Sequence, residues 1–278
     1  GYNPWDLLVT DVDLDGHLDI ATGAGDPSAL TRGYIGDTTV VLFGNGDGTF
    51  AGMPTVSLPK PARTLVSADY NGDGITDLVV GSDSGASLIL GSSTGTPSTM
   101  KTIPLPPSNG KPPTISAAQA QDFNQDGKQD LALLANNGTT VIFLLGNGDG
   151  TFREPITNAT PAQVTAVAVG DFNGDGTLDL AGVTQSSPTS STMMIFLGTG
   201  GFYLPAGSIS VGTQVTQLAV GDFNKDGKTD ILALDGGYYG TGSGALELLA
   251  GNGNGSFQAP AILMQSRFLY RMALADLN

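Results

Sequence analysis

The sequence contains no cysteine, which removes disulfides, thiolate catalysis and cysteine-ligated metals together and leaves the redox compartment undetermined. Histidine occurs once, at His17, and glutamate only as Glu154 and Glu247, so few side chains suited to general acid–base chemistry are present. Charged residues make up 13% of the chain against a usual quarter, and long charged helices are therefore not expected. No apolar run approaches the roughly 18 residues that a membrane-spanning helix needs. Lys and Arg number 11 against 26 Asp and Glu, and a formal net charge of −15 argues against nucleic acid as a partner. No initiator methionine or signal peptide opens the chain at Gly1, and the sequence is expected to be a mature or excised piece of something longer.

What is abundant is glycine, 41 of 278 residues, and aspartate, 24 of the 26 acidic residues. A solvating acidic surface mixes Asp with Glu, so an almost pure Asp population points to short side chains placed in turns and to cations as partners. Five nine-residue segments match one another: Asp11-Val-Asp13-Leu-Asp15-Gly-His17-Leu-Asp19, Asp69-Tyr-Asn71-Gly-Asp73-Gly-Ile75-Thr-Asp77, Asp122-Phe-Asn124-Gln-Asp126-Gly-Lys128-Gln-Asp130, Asp171-Phe-Asn173-Gly-Asp175-Gly-Thr177-Leu-Asp179 and Asp222-Phe-Asn224-Lys-Asp226-Gly-Lys228-Thr-Asp230. A sixth begins at Asp276. The first residues are 58, 53, 49, 51 and 54 positions apart, the period of a four-stranded propeller blade.

Within each unit the pattern is short strands and turns. An alternating run such as Val164-Thr-Ala-Val-Ala-Val169 precedes the Asp-rich loop, a short apolar run such as Asp130-Leu-Ala-Leu-Leu134 follows it, and a third ends in Gly44-Asn-Gly-Asp-Gly-Thr-Phe50 or a relative of it. Asn-Gly and Asp-Gly supply the positive φ of tight hairpins, so a fourth strand returns from that turn. The expected fold is all-β: a propeller of four-stranded antiparallel blades, with five complete repeats plus the first strand of a sixth. The blades fall at about 1–62, 63–115, 116–163, 164–214 and 215–267, with a partial one at 268–278. Position two of each loop is apolar (Val12, Tyr70, Phe123, Phe172, Phe223) and reads as a core plug.

Oxygens at positions one, three, five and nine around a Gly at six match what a hard cation with six to eight oxygen ligands requires. The predicted ligands are Asp11, Asp13, Asp15 and Asp19; Asp69, Asn71, Asp73 and Asp77; Asp122, Asn124, Asp126 and Asp130; Asp171, Asn173, Asp175 and Asp179; and Asp222, Asn224, Asp226 and Asp230. The main-chain carbonyls of His17, Ile75, Thr177, Lys128 and Lys228 join at position seven. Calcium suits such a loop better than magnesium, whose octahedral demand is stricter, and about five Ca2+ sites are expected. Loop one, with four Asp, is expected to bind most tightly. Five calcium ions would bring the charge from −15 to about −5. An EF-hand does not fit, because position twelve is never Glu and the flanking runs are strand-like. A nonapeptide β-roll does not fit a period of roughly fifty residues.

The loops, together with Leu42-Phe-Gly-Asn-Gly-Asp-Gly-Thr-Phe50, resemble FG-GAP (VCBS-type) repeats, as in the integrin α-subunit β-propeller and many bacterial surface proteins. The resemblance covers essentially the whole chain. It implies calcium in the loop between the first and second strands of each blade, in extracellular propellers usually of seven blades. Blade two departs from it, with Gly91-Ser-Ser-Thr-Gly95 in place of the usual turn. Residues 5–10 and 270–275 correspond to the same innermost strand and cannot share one position in a closed five-blade ring, so the chain is expected to belong to a larger propeller or repeat array.

Antiparallel order places both stereotyped turns on one face and the variable connections on the other. There Arg32, Tyr34, Asp37, Tyr238 and Tyr239 are the candidate contacts to a protein or glycan ligand. The favoured function is a calcium-stabilised, extracellular or cell-surface binding and adhesion module, without catalysis. The alternatives are a structural repeat unit that binds copies of itself in a surface assembly or filament, and a domain of a polysaccharide-degrading enzyme. Asn-x-Ser/Thr matches beginning at Asn137, Asn158 and Asn254 arise readily by chance in this composition and decide nothing.

Overall fold

The structure is a computed structural model and describes residues 7–23, 38–51, 55–57, 62–93, 100–136, 138–160, 163–187, 190–199, 203–237, 244–266, 269 and 272. The five residues expected on the ligand face and the start of the sixth repeat lie outside the described residues. The fold is an all-β propeller of five antiparallel blades, with no helix among the described residues.

Blade one comprises β1 (Leu7–Thr10), β2 (Asp19–Gly23), β3 (Thr38–Gly44), β4 (Phe50–Ala51) and β5 (Thr55–Ser57), the last two both pairing with β3. Blade two is β6 (Ala62–Ala68), β7 (Asp77–Ser82), β8 (Gly85–Ile89) and β9 (Lys101–Ile103). Blade three is β10 (Ile115–Gln121), β11 (Asp130–Ala135), β12 (Thr140–Leu144) and β13 (Ile156–Ala159). Blade four is β14 (Val164–Gly170), β15 (Asp179–Ser187), β16 (Ser190–Gly198) and β17 (Tyr203–Val211). Blade five is β18 (Val215–Gly221), β19 (Asp230–Asp235), β20 (Gly244–Leu249) and β21 (Ala261–Ser266). In each blade the strands run in chain order as a meander, which places the Asp-rich loop between the first and second strands. The nine-residue spacing is a consequence of register, since the ninth Asp pairs with the residue just before the loop: Thr10 with Asp19, Ala68 with Asp77, Gln121 with Asp130, Gly170 with Asp179 and Gly221 with Asp230.

The chain divides into two compact units, Gly1–Asp122 with Asp126–Ala159, and Phe123–Gln125 with Thr160–Asn278. In the first unit, Val12, Ala21, Val41, Leu65, Leu78 and Ile89 form one buried cluster, and Tyr70, Val79, Leu88, Ile115, Leu131 and Ile142 belong to a second. In the second unit, Phe172, Val183, Met193, Ile195, Ile231 and Leu249 belong to one cluster between β-sheets four and five. Second strands are the most deeply buried elements, with every residue of β7, β11 and β19 inside. Such strands read as near-continuous apolar runs because both of their faces are covered by neighbouring blades. Small residues near the ends of first strands permit close approach: a Cβ on Gly170 would sit 2.7 Å from Val220 Cγ1.

The position-two plugs are buried in four of the five loops, with Val12, Tyr70, Phe123 and Phe172 at 1–4% exposure, whereas Phe223 is only partly buried. Tyr70 meets Phe152 of the next blade edge to face at 5.8 Å between ring centroids, and Phe172 meets Phe257 at 5.4 Å. Within the second unit, Phe123 packs on Tyr203 in the same manner at 6.3 Å. A backbone bond accompanies two of these pairs, from Gly150 N–H to the Tyr70 carbonyl at 2.9 Å and from Gly255 N–H to the Phe172 carbonyl at 2.8 Å. Blade one has neither half of such a pair towards blade two. Val12 replaces the aromatic plug, and the third turn of blade two lacks the Gly-Asn-Gly-Asp-Gly-Thr-Phe sequence.

Candidate metal centres

Each loop is wound by short-range hydrogen bonds that aim carboxylates inwards. Position one accepts from the backbone N–H of the glycine at six: Gly16 to Asp11 at 3.0 Å, Gly74 to Asp69 at 2.8 Å, Gly127 to Asp122 at 2.8 Å, Gly176 to Asp171 at 2.9 Å and Gly227 to Asp222 at 2.9 Å. Position five accepts from the N–H of position seven: His17 to Asp15 at 2.8 Å, Ile75 to Asp73 at 2.8 Å, Lys128 to Asp126 at 3.1 Å, Thr177 to Asp175 at 2.7 Å and Lys228 to Asp226 at 2.9 Å. Position three accepts from the N–H of position five in loops one, two, four and five, through Asp13, Asn71, Asn173 and Asn224. These are Asx turns, the local alternative to a ladder that short polar side chains offer.

Two residues per loop take positive φ. The glycine at six lies at 81–88°, as the spacing requires. Position four is also left-handed, at Gly72 and Gly174 but equally at Leu14, Gln125 and Lys225, with φ of 59–62° in those three. His17 at position seven lies over Gly46 of the third turn and leaves no space for a Cβ there, while the stems of Lys128 and Lys228 lie against Gly148 and Gly253. Lys228 also pairs with the position-five carboxylate of Asp226 at 3.9 Å.

In loop one, Asp11, Asp13 and Asp15 each present a carboxylate oxygen, and the three atoms lie within 4.8 Å of one another. Oδ1 of Asp11 is buried and accepts no hydrogen bond. Burial first, then repulsion from Asp15, Asp19 and Asp11, raises the pKa of Asp13. Three converging carboxylates, one of them with a buried oxygen that no donor satisfies, are a donor set that fits a divalent cation. In loops two, four and five the Asn at position three donates from Nδ2 to the position-five carboxylate: Asn71 to Asp73, Asn173 to Asp175 and Asn224 to Asp226. Asp126 of loop three instead receives Arg153 in an ion pair at 3.1 Å. Asn124, expected in that loop, groups with the second unit while Asp122, Asp126 and Asp130 group with the first.

The ninth aspartate is fully buried in all five loops, at 0% exposure. Its Oδ1 accepts the N–H of a glycine that closes the third strand, from Gly44 to Asp19, Gly91 to Asp77, Gly146 to Asp130, Gly198 to Asp179 and Gly251 to Asp230, all at 2.7–2.8 Å. Its Oδ2 accepts the N–H of the position-two plug, from Val12, Tyr70, Phe172 and Phe223, at 2.7–3.0 Å. A Cβ on any of those five glycines would overlap the carbonyl oxygen of loop position eight, so glycine is obligatory there. Oδ2 of Asp230 also accepts Asn224 N–H, at 3.3 Å. A carboxylate oxygen has two lone pairs, so one that accepts a single amide can hold the blade together and face a cation at once. Burial raises the pKa of Asp77 and Asp179, opposed by those amides.

Two further buried acids were not singled out by sequence. Asp235, at the far end of β19 from the loops, accepts N–H bonds from Thr213, Gln214 and Gly237 at 2.8–3.0 Å. Glu247 on β20 accepts Gly212 N–H at 3.0 Å. Together they pin the connection between β17 and β18. The only sequence signal was a lone glutamate inside an apolar strand, Leu246-Glu-Leu-Leu249.

Residues 11–80 and 122–182 match the family model of the FG-GAP-like repeat. No curated protein sequence matches the chain. Among solved structures, an Agrocybe aegerita lectin, described for specific recognition of non-reducing terminal N-acetylglucosamine, superposes with a TM-score of 0.60 at 15% identity, covering 93% of this chain and 65% of the lectin. BBS1N in complex with ARL6DN superposes with a TM-score of 0.58 at 11% identity, covering 96% of this chain and 72% of that one. An α-L-arabinofuranosidase from Clostridium thermocellum matches with a TM-score of 0.46 at 12% identity, covering 94% of each. The chain spans less than two thirds of the lectin it matches, and identities this low speak to fold alone.

Proposed function

The chain is an FG-GAP-like repeat propeller, and from that premise we propose that it is a calcium-stabilised, extracellular binding module for a protein or glycan ligand. The observation that carries the calcium reading is loop one, where Asp11, Asp13 and Asp15 converge and Oδ1 of Asp11 is buried without a donor. Asp11, Asp13 and Asp15, with the His17 carbonyl and Asp19, would hold the ion, and the other four loops would do so with Asn at position three. Bound calcium supplies positive charge that cancels the repulsion among the carboxylates; the protein supplies the pre-wound loop. Each site adds about 2.7 kcal/mol to folding when free calcium is about 100 times its dissociation constant. Millimolar-scale extracellular calcium suits such sites, which supports secretion or surface display.

Ligand recognition is assigned to the face opposite the calcium loops, where the variable connections carry Arg32, Tyr34, Asp37, Tyr238 and Tyr239. No catalytic role is proposed. The clustered carboxylates are assigned to the loops, and Asp235 and Glu247 accept backbone amides. Calorimetric titration with calcium tests the metal reading. Wild type should show a tightest phase that Asp15→Ala removes, and survival of that phase in the variant would refute the assignment to loop one. A glycan array, with alanine at Tyr34, Tyr238 and Tyr239, tests the ligand face.

A further inference from the structure

The five loops share a winding and differ in the charge set around it. Loop one carries four Asp and no Lys or Arg, and loops two and four carry three Asp each and again no Lys or Arg. Loop three places Lys128 among its three Asp, and loop five places Lys225 and Lys228 among its own. The acidic excess within the nine residues therefore falls from four in loop one to three in loops two and four, two in loop three and one in loop five.

Contacts follow that composition. In loops two, four and five, Oδ2 of the position-five carboxylate accepts the amide of the Asn at position three. In loop three the same oxygen of Asp126 receives the guanidinium of Arg153 at 3.1 Å, and in loop five Oδ2 of Asp226 has the Lys228 ammonium at 3.9 Å. Asp15, Asp73 and Asp175, which hold position five in the other three loops, have no ion pair among the described residues. Both cations are placed by the third turn of their own blade. Arg153 directly follows Phe152, with its backbone N–H on the Leu145 carbonyl at 2.8 Å, where blades one, four and five carry Ala51, Tyr203 and Gln258. The stem of Lys228 runs along Gly253, its Cδ 3.2 Å from where a Cβ would sit.

We propose that Arg153 and Lys228 are resident counter-ions that stand in for calcium at loops three and five, and that the loops form two classes, with one, two and four filling at lower calcium than three and five. The inference rests on the calcium reading above and adds an order of filling to it. The affinity of an oxygen-ligand loop is tuned by the charge of its ligands. A cation seated on one of those ligands cancels part of that charge and repels the incoming ion until it is displaced. One exposed ion pair shifts an equilibrium about three- to fivefold, and two cations at each of these loops set a gap of about tenfold. Blades three and five thus keep their loops charge-balanced when calcium is scarce, and the response at low calcium belongs to blades one, two and four.

Heteronuclear NMR of the full chain, titrated with calcium from a chelated start, tests the proposal through the position-six amides of Gly16, Gly74, Gly127, Gly176 and Gly227, one reporter in each loop. Wild type should complete the shifts of Gly16, Gly74 and Gly176 at about tenfold lower calcium than those of Gly127 and Gly227. Arg153→Gln should lower the Gly127 midpoint about threefold and leave Gly227 in place, and Lys228→Gln should do the reverse. Arg153→Lys restores the charge and should return Gly127 towards its wild-type midpoint. The two side chains are 50% and 45% exposed, so these variants keep the fold. One shared midpoint for all five glycines, or variants that leave their own loop's midpoint unmoved, would overturn the proposal while the calcium reading stood. Glycines that ignore calcium altogether would overturn both.

Discussion

The N–H of Gly44 donates to Oδ1 of Asp19 across 2.8 Å and 25 residues, so the loop between β1 and β2 is fastened to the end of β3. The same glycine-to-aspartate bond recurs in all five blades, including blade two, whose third turn has otherwise lost its motif. A residue at the edge of an Asp-rich loop is therefore also the hub that ties three strands of its blade together.

That dual placement separates two kinds of aspartate by experiment. Asp179→Asn would turn an amide N–H2 towards a backbone N–H and leave a buried donor unpaired, costing about 1–3 kcal/mol even in chelator. Asp13→Asn, near the loop surface, should cost little in chelator and show its effect only when calcium is added. Urea unfolding with and without calcium measures both. Equal losses in chelator would contradict the division.

Chelation should lower the melting temperature of the whole chain, because calcium bound to the native state alone stabilises it by mass action. Differential scanning calorimetry across a calcium series is the measurement. A melting temperature independent of calcium would leave the acidic loops as turns and nothing more.

Glu247 gives a pH dependence unconnected with the Asp-rich loops. Burial, with a smaller contribution from Asp235, raises its pKa above the ordinary 4.5, against the opposing pull of Gly212 N–H. Above pH 4.5 the folded protein therefore holds this proton more tightly than the unfolded chain. The stability it contributes is complete below that pH and is lost as pH rises through the folded-state value. Glu247→Gln keeps an oxygen for Gly212 and never ionises. It should melt above wild type at pH 7, with the gap closing as pH falls below 4.5.

Phe172→Ala should destabilise by about 3–5 kcal/mol, since it empties the centre of a blade-to-blade cluster. Phe50→Ala should change stability by no more than about 0.5 kcal/mol, as expected for an exposed site. Chemical denaturation at low protein concentration compares them.

How much of this was legible in the sequence follows from the range of each interaction. The loop spacing, Gly16 and its counterparts, and the Gly-Asn-Gly-Asp-Gly turns are set by bonds within a few residues, and they appeared as motif. The plugs were legible as core, because an apolar residue between two aspartates has nowhere else to go. Their partners Phe152 and Phe257 were not, since a contact between blades crosses a distance that varies with every insertion. The second duty of Asp19 was hidden for the same reason, although glycine at 44, 91, 146, 198 and 251 was its trace. Left-handed Leu14, Gln125 and Lys225 left no compositional mark at all.

The seam between blades one and two has aliphatic packing around Val12 and no aromatic lock. Under a pulling force applied through the chain, it is the weaker of the two blade joints within the first unit. Within the first unit it would act as a mechanical fuse, parting at low tension while blades two and three stay fastened through Tyr70 and Phe152.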